Sequence, residues 1–388
     1  MDAQPLYDLA PVARLMLLGV VIALGPLAWV WLRNRHAPPA QRLRVLTLVT
    51  LFLTFDLVLF GAFTRLTDSG LGCPDWPGCY GSASPVGASA SIAAAQSAMP
   101  TGPVTFSKAW IEMIHRYLAT AVGVLILVLA LVSWVERKRL SVSFVWPLVT
   151  LVWVCLQGAF GALTVTMKLF PAIVTLHLLG GMGLLALLRA QSVGYALAAP
   201  GHAGPAALPG RLRLALVAVC ILLWAQIALG GWVSTNYAVL ACNEFPTCQG
   251  TWWPTMDFRQ GFTVWRELGE NHAGDAITFP ALTAIHYAHR LMAYAVLAAM
   301  AWLGWRLWSV PGMRATARAL LLLAAWQFAS GLTNVVLDWP LLAAVGHTGG
   351  AAALVVVLTG AVCGTRRAGQ RDAAAATTAP LHLSTPIR

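Results

Sequence analysis

The stretch Trp110-Ile-Glu-Met-Ile-His-Arg-Tyr-Leu-Ala119 places three ionisable side chains at the start of an apolar segment. In a helix, Glu112 and His115 share one face, and Arg116 lies about 100° round from His115. Ionisable residues at membrane depth are energetically costly. Their presence here therefore indicates a functional role.

The pattern returns once, in Ala284-Ile-His-Tyr-Ala-His-Arg-Leu-Met-Ala293. His289 and Arg290 repeat the earlier His-Arg pair, whereas His286 stands where the first stretch has Glu112. The repeat predicts two related sites, and the exchange of a carboxylate for an imidazole predicts that the two sites differ in their task.

Composition indicates a multispanning membrane protein. Of 388 residues, 59% are hydrophobic and 10% are charged, which is far from the composition of soluble domains. A helix needs about 20 apolar residues to span a bilayer. The sequence predicts nine spans, near residues 13–32, 45–63, 111–134, 145–165, 172–190, 212–232, 282–305, 317–337 and 344–364. The first run is long enough to span and lacks a small-residue cleavage site, so we expect no cleaved signal peptide.

The net charge of +11 does not indicate nucleic-acid binding, because of where the basic residues fall. Alternate connections and the tail hold 17 of the 25, namely Arg33, Arg35, Arg42, Arg44, Arg137, Lys138, Arg139, Arg189, Arg211, Arg213, Arg306, Arg314, Arg318, Arg366, Arg367, Arg371 and Arg388. The positive-inside rule makes these regions cytoplasmic. The N-terminus and the long loops 64–110 and 233–281 are then outside, and the C-terminus is inside.

Two loop segments, 61–81 and 230–250, share their spacing. In both, the first cysteine follows the first glycine by 12 positions and the second cysteine follows the first by 6, at a constant offset of 169. Closely spaced cysteines on the oxidising face of a membrane are disulfide candidates. The cysteines are Cys73, Cys79, Cys242 and Cys248; the other three, Cys155, Cys220 and Cys363, lie inside spans and are expected to be small buried residues.

The repeat continues in two later spans. Gln157 precedes His177 by 20 residues, and Gln327 precedes His347 by 20, at an offset of 170. The chain is thus predicted to be all-α, with two pseudo-symmetric four-helix bundles in parallel that form an eight-span core, plus one extra N-terminal span. The regions are a leading span and cytoplasmic linker at 1–44, a first half at 45–210, a second half at 211–366 and a disordered cytoplasmic tail at 367–388.

The first two spans and the two long loops allow more local predictions. The leading span is read as an anchor that packs on the bundle, and Asp56 as a buried carboxyl that is protonated or hydrogen-bonded to a neighbouring helix, with a proton relay as the alternative. The insert 82–103, rich in Ser, Ala, Gly and Pro, is read as mobile. Aromatic residues of the second loop are expected to lie on the membrane interface or to cap a pocket.

The four histidines are the main indication of chemistry. His115 and His177 each lie roughly 8–9 Å into their spans at 1.5 Å per residue, and His289 and His347 repeat this arrangement. Two histidines at matched depth on helices of one bundle can ligate a haem iron from both faces. A hydrogen-bonded core histidine would be the simpler interpretation of any single one, and zinc or a di-metal site would want more carboxylates or thiolates.

The outside-facing arginines are candidate partners for haem propionates. They are Arg65, Arg116 and Arg290; contact with lipid headgroups is the alternative. A carboxyl one helical turn from an iron ligand could assist oxidation of a bound porphyrin, as a proton acceptor or by stabilising positive charge. The first half is therefore expected to hold substrate and the second half cofactor.

Taken together, the segment Thr64-Arg-Leu-Thr-Asp-Ser-Gly-Leu-Gly-Cys-Pro-Asp-Trp-Pro77, the Glu-x-x-His-Arg element and the later histidines resemble the haem A synthase family of bacteria and mitochondria. The resemblance covers about residues 45–365. It implies oxidation of the C8 methyl of haem O to a formyl group by successive hydroxylations, for cytochrome oxidase assembly. The extra first span and the insert 82–103 depart from the family pattern.

The resemblance also implies site roles. Glu112 would be the catalytic carboxyl, His115 and His177 would hold the iron of haem O with Arg116 and Arg65 nearby, and His289, His347 and Arg290 would hold a haem b cofactor. The cysteine pairs match loop cysteines of the family. Haem O synthase is the expected supplier of substrate, the electron donor is not identified, and a homo-oligomer is allowed. The protein is placed in the bacterial cytoplasmic membrane with both haem sites towards the periplasm.

Two rival functions remain at this point. A di-haem membrane cytochrome b would move electrons between quinol and a partner without altering its haem. A thiol–disulfide oxidoreductase would use the loop cysteines, although short loops with prolines are more typical of structural disulfides.

Overall fold

The computed structural model describes residues 10–199, 206–271 and 273–367. Its elements, in chain order, are α1 Ala10–Arg33, α2 Pro39–Leu66, α3 Ser89–Ala98, α4 Phe106–Val135, α5 Val145–Thr166, α6 Pro171–Leu197, β1 Ala206–Leu208, α7 Gly210–Thr235, a 3₁₀ helix Ala238–Ala241, α8 Phe258–Gly261, α9 Phe279–Trp308, α10 Arg314–Val336, α11 Leu341–Cys363 and β2 Thr365–Arg367. The tail from residue 368, predicted to be disordered, lies outside the described residues.

All nine predicted spans are helices. Within the described part of the chain, nine helices are long and apolar enough to cross a membrane, so the protein is an all-α integral membrane protein. Some of these helices begin before the apolar run, at a residue that favours a helix start. Thr105 caps α4 by accepting the Lys108 backbone N–H at 3.3 Å. Pro171 starts α6, where its missing N–H costs no helical hydrogen bond.

Each half of the chain contributes four helices that contact one another in a ring. In the first half α2, α4, α5 and α6 pack in that order, and α6 returns to α2. In the second half α7, α9, α10 and α11 do the same. The halves meet through α2 and α6 on one side and α7 and α11 on the other, around a shared core of leucine, valine and alanine side chains.

Helix α1 lies outside both rings and packs mainly on α4, as expected of an anchor helix. Gly19 of α1 lies directly against Thr120 of α4, and a Cβ at Gly19 would come within 2.8 Å of the threonine Cβ. At the end of the bundle away from the cysteine loops, β1 and β2 form a two-stranded parallel sheet. This sheet ties the linker between the halves to the end of α11.

The insert 82–103, which its composition predicted to be mobile, is packed against the first half. It contains α3, whose Ile92 is fully buried against the first cysteine pair, Met113 and Tyr117. Alanine has the highest helix propensity of all residues, and the Ala-rich run at 93–95 supplies it. One buried isoleucine is enough to hold so short a helix in place. A single apolar residue does not give the regular spacing by which a helix is predicted from sequence.

Two residues expected to be buried within spans are exposed. Asp56 lies on the outer face of α2, and no residue that the structure describes hydrogen-bonds to it. Thr54 and Val58, each two positions away and thus on the opposite face, point inwards; Thr54 is buried and Val58 approaches Gly181 of α6. Cys155 is likewise exposed on α5, whereas Cys220 and Cys363 are half-buried.

Candidate functional site

The structure brings the four histidines together in two pairs, one in each half. His115 of α4 and His177 of α6 are on alternate helices of the first ring and lie within electrostatic range of each other. His289 of α9 and His347 of α11 stand in the same relationship in the second ring. Among the described residues, no three His, Cys, Asp or Glu side chains form a metal-binding group.

Each of the four imidazoles lies against a glycine of the helix that precedes it in the same four-helix bundle. A Cβ would lie 3.0 Å from Cε1 of His115 if added at Gly61, and 2.9 Å from Cε1 of His289 if added at Gly230. Gly161 and Gly331 face His177 and His347 in the same way, at 3.4 and 3.3 Å. The four glycines occupy equivalent positions in the repeat. They allow the helix backbone to approach the ring edge and leave little freedom for the ring to move.

In the second half, both histidines have a polar side chain at Nδ1. The Ser330 hydroxyl lies 2.9 Å from Nδ1 of His347. The Gln226 amide nitrogen lies 3.0 Å from Nδ1 of His289 and donates to the His289 carbonyl at 3.1 Å. A histidine that ligates a metal through one ring nitrogen is held by a hydrogen bond at the other. The second half thus places a polar side chain beside the ring nitrogens of both histidines; the Gln226 amide also lies 3.5 Å from Nε2 of His289.

In the first half, the same atoms lack this support. Nδ1 of His115 and Nδ1 of His177 are buried without a hydrogen-bond partner; the Gln157 backbone carbonyl interacts with His177 but does not reach hydrogen-bonding geometry. The reason lies in the sequence. The positions equivalent to Gln226 and Ser330, at offsets of 169 and 170, are Leu57 and Phe160, which have no polar group.

Glu112 is almost completely buried and its two carboxylate oxygens are occupied. Oε2 accepts the backbone N–H of Cys73 at 2.8 Å, and Oε1 pairs with Arg116 at 2.5 Å. Arg116 in turn donates to the carbonyls of Asp75, Pro77 and Gly78. The Glu112–Arg116 pair therefore anchors the first cysteine loop over the start of α4.

The second half also anchors its own loop, with different chemistry and with one contact point in common. His286 replaces Glu112, and its Nδ1 lies 3.0 Å from the Ala238 carbonyl. Arg290 donates to the carbonyls of Cys242 and Thr247 at 3.2 and 2.9 Å, and Thr247 is the equivalent of Gly78. Both buried arginines thus have a structural role that sequence reasoning missed; their predicted contact with haem propionates stays a prediction.

The two cysteine loops have one conformation. Disulfides join Cys73 to Cys79 and Cys242 to Cys248. At the turn after the second cysteine, Asp75 accepts the backbone N–H groups of Tyr80 and Gly81, and its equivalent Glu244 accepts that of Gly250. All four cysteines are fully buried, which is typical of a structural disulfide.

Arg65 lies between the two halves. Its guanidinium donates to the Ser234 carbonyl at 2.6 Å, pairs with Asp68 at 3.3 Å and lies 4.0 Å from the centre of the Tyr237 ring. The predicted role of Arg65 at the substrate site therefore stays a prediction, alongside an observed role in joining the two halves.

The second loop reaches across to the first half. Trp265 contacts Phe170, the residue before α6, at 4.7 Å between ring centres. Phe262 packs in a cluster with Phe160 and Phe170. The aromatic residues of this loop, one predicted use of which was to cap a pocket, thus cover the α5–α6 connection on the side where His177 lies.

Sequence reasoning also missed Gln226 and Ser330. A usable signal was present, since the repeat offsets pair these polar residues with Leu57 and Phe160 inside otherwise apolar spans.

Known proteins match this chain over the region that contains both histidine pairs. A family model described as cytochrome oxidase assembly protein, COX15-CtaA, matches residues 44–359. A heme A synthase of Shewanella oneidensis is 38% identical over 315 residues, which cover 80% of this chain and 92% of the relative. Heme A synthases of Methylobacterium nodulans and of Methylobacterium sp. strain 4-46 are each 32% identical, over 76% and 84% of this chain and 84% and 92% of the relatives.

Proposed function

Since this chain belongs to the haem A synthase family of cytochrome oxidase assembly proteins, we propose that it is an enzyme that converts haem O to haem A. The substrate binds in the first half, and a haem b cofactor binds in the second. The C8 methyl group of haem O is oxidised to a formyl group by successive hydroxylations. Haem O comes from a haem O synthase, and both sites open towards the periplasmic side of the cytoplasmic membrane.

The residues present fit two haems. Each half offers two histidines on alternate helices, with their rings fixed by facing glycines. His289 and His347 would ligate the haem b iron, and His115 and His177 would ligate the iron of haem O. When bound, the haem b supplies a redox-active iron that can pass electrons.

The contrast at Nδ1 carries the assignment of substrate and cofactor. Hydrogen bonds to the second ring nitrogen raise metal affinity, typically by about 10–100-fold. His289 and His347 have such partners, and the corresponding atoms of His115 and His177 have none. A cofactor must stay bound through many turnovers, whereas a substrate must enter and its product must leave. The second half suits the first requirement, and the first half suits the second.

Glu112 is proposed as the catalytic carboxyl of the first site. It shares a helix face with His115, one turn away, and its hydrogen bonds to Cys73 and Arg116 fix its orientation. In this position it could accept a proton or stabilise positive charge during oxidation of the bound porphyrin. The second site has His286 at this position, which suits a site that passes electrons without altering its haem.

The test uses pigments extracted from membranes in which the full chain is expressed with haem O synthase. We expect haem A in the wild type. Ser330→Ala and Gln226→Leu should lower bound haem b by about 10-fold or more while haem O or haem A remains bound. Thr333→Ala is the matched control, because this exposed hydroxyl on the same helix bonds only within the helix.

Absence of both haem A and hydroxylated haem O from the wild type would overturn the function. A protein with two unmodified b-type haems would indicate an electron carrier instead. Loss of haem O, with haem b retained, in Ser330→Ala would reverse the assignment of the halves.

A further inference from the structure

At the end of the bundle away from the cysteine loops, α2, α6 and α7 each carry an arginine, and α6 packs on both α2 and α7. Arg189 of α6 lies within electrostatic range of Arg44 of α2. Cys363, the last residue of α11, lies within the same range of both Arg189 and Arg213 of α7. This arginine cluster, formed by Arg44, Arg189 and Arg213, thus sits where both halves meet.

The cluster has unused hydrogen-bond donors. The Nε atoms of Arg189 and Arg213 are buried and have no hydrogen-bond partner. Arg189 makes one long side-chain contact, 3.4 Å from Nη1 to the Ser192 hydroxyl. Neither arginine forms an ion pair within the part of the chain that the structure describes.

A glycine of α11 makes room for the Arg189 guanidinium. The guanidinium of Arg189 lies flat against Gly360 of α11, where a Cβ would come within 2.6 Å of both Nε and Nη2. The β1–β2 sheet, which begins two residues after Cys363, joins the linker to the end of α11 beside the cluster. A larger side chain at Gly360 would displace the Arg189 guanidinium.

Arg189 and Arg213 are partly removed from water, and like charges in such a place are costly without a counterion. The donor geometry of a guanidinium matches phosphate, with which it forms paired charge-assisted hydrogen bonds. Basic pockets between membrane helices on the cytoplasmic side bind anionic lipid headgroups, and the distribution of basic residues places this end of the bundle at that surface. We propose that Arg44, Arg189 and Arg213 bind a phosphate group, supplied by the headgroup of an anionic phospholipid, that bridges the two halves.

The test uses the full chain, purified in detergent and depleted of lipid. Phosphatidylglycerol should raise the thermal unfolding midpoint more than phosphatidylcholine does. Arg189→Gln and Arg213→Gln should each weaken the apparent affinity for phosphatidylglycerol by about fivefold. Arg211→Gln is the matched control, because this exposed arginine lies in the same first turn of α7 and its replacement changes the charge equally.

A second readout depends on the wild-type arginines alone. With Cys155→Ala and Cys220→Ala, Cys363 is the remaining free thiol, and phosphatidylglycerol should slow its reaction with a maleimide. This measurement stands even if Arg189→Gln does not fold, and Arg189→Lys should keep much of the effect.

Equal responses to phosphatidylglycerol and phosphatidylcholine in both readouts would overturn the proposal, and so would an Arg211→Gln effect as large as that of Arg189→Gln. If inorganic phosphate alone reproduced the effects at the same phosphate concentration, the phosphate site would stand and the lipid would be ruled out as its source.

Discussion

The phenolic hydroxyl of Tyr237 donates a 2.7 Å hydrogen bond to the carboxylate of Asp68, and the two residues are equivalent positions of the repeat. Arg65 and Ser234, which also hydrogen-bond to each other, are likewise equivalent. Equivalent residues that touch must lie close to the axis that relates the halves. Asp68 and Tyr237 both have a positive φ, of 49° and 53°, so the same turn ends both α2 and α7. The two halves therefore contact each other through the turns that follow α2 and α7.

Replacing Tyr237 tests how much this contact contributes. Tyr237→Phe keeps the ring that lies over Arg65 and removes the hydrogen bond to Asp68. We expect a loss of about 0.5–1 kcal/mol of unfolding free energy, measured as a lower thermal midpoint of the purified protein. Tyr294→Phe, which removes an exposed tyrosine hydroxyl on α9, should leave the midpoint unchanged. An equal effect of the two changes would contradict a role for the inter-half bond.

The contribution of Tyr237 should also depend on pH. Burial raises the pKa of the Tyr237 hydroxyl above its ordinary value of 10.0. Because the folded state holds this proton more tightly than the unfolded state, stability falls as the pH rises above the ordinary value. The stability difference between wild type and Tyr237→Phe should therefore be constant below about pH 9 and shrink above pH 10. A constant difference up to pH 11 would contradict this.

Hydrophobicity and repetition in the sequence were enough to predict the spans and the histidine pairs. A membrane span is defined by an apolar run of fixed length, and the repeat offsets placed His115 with His177 and His289 with His347. No comparable rule specifies which way a side chain faces when a helix is apolar all round. Asp56 was therefore assigned to the wrong face of α2.

Loop contacts were harder to predict for a different reason. Arg116 and Arg290 hydrogen-bond to backbone carbonyls that only the folded cysteine loops bring within reach. Every residue has a backbone carbonyl, so the sequence does not indicate which ones an arginine will bind. The support of His289 and His347 by Gln226 and Ser330 depends on helix rotation. Only the comparison of the two halves could have indicated it.

Glu112 has two roles that substitution can separate. Glu112→Ala removes one partner of a buried ion pair and an acceptor for Cys73, and should cost about 3 kcal/mol or more of stability. Glu112→His copies the second half, where histidine holds the loop next to an arginine, and should fold with a smaller loss. Both variants should leave haem O unconverted.

The measurements for Glu112 are the thermal midpoint and the extracted pigments. His286→Glu, the converse exchange, is the matched control and should leave conversion of haem O in the first half intact as long as haem b is retained. Formation of haem A by Glu112→His would show that the carboxylate serves the loop and not the chemistry.

Each glycine beside a histidine should be required for haem binding in its own half and not in the other. Gly230→Ala places a methyl group 2.9 Å from Cε1 of His289, so the ring must turn and haem b should be lost while haem O binding in the first half remains. Gly61→Ala should have the opposite selectivity. Gly158→Ala, which meets no atom within 4 Å, is the control. Pigment extraction and optical spectra distinguish these outcomes, and loss of both haems in every variant would indicate general misfolding instead.

Ile92 should be the residue that docks the insert 82–103. Its side chain is fully buried beside Cys73, Cys79 and Tyr117, and removal of such a side chain costs about 2–5 kcal/mol. Ile92→Ala should therefore free α3 and make the loop susceptible to protease between residues 82 and 103, with a lower thermal midpoint. Ile92→Val, at about 0.5–1.5 kcal/mol, should keep α3 docked. Because Tyr117 also donates to the Ala83 carbonyl at 2.7 Å, Tyr117→Phe should add to the sensitivity of Ile92→Ala, and a protease-resistant Ile92→Ala would contradict this account of the insert.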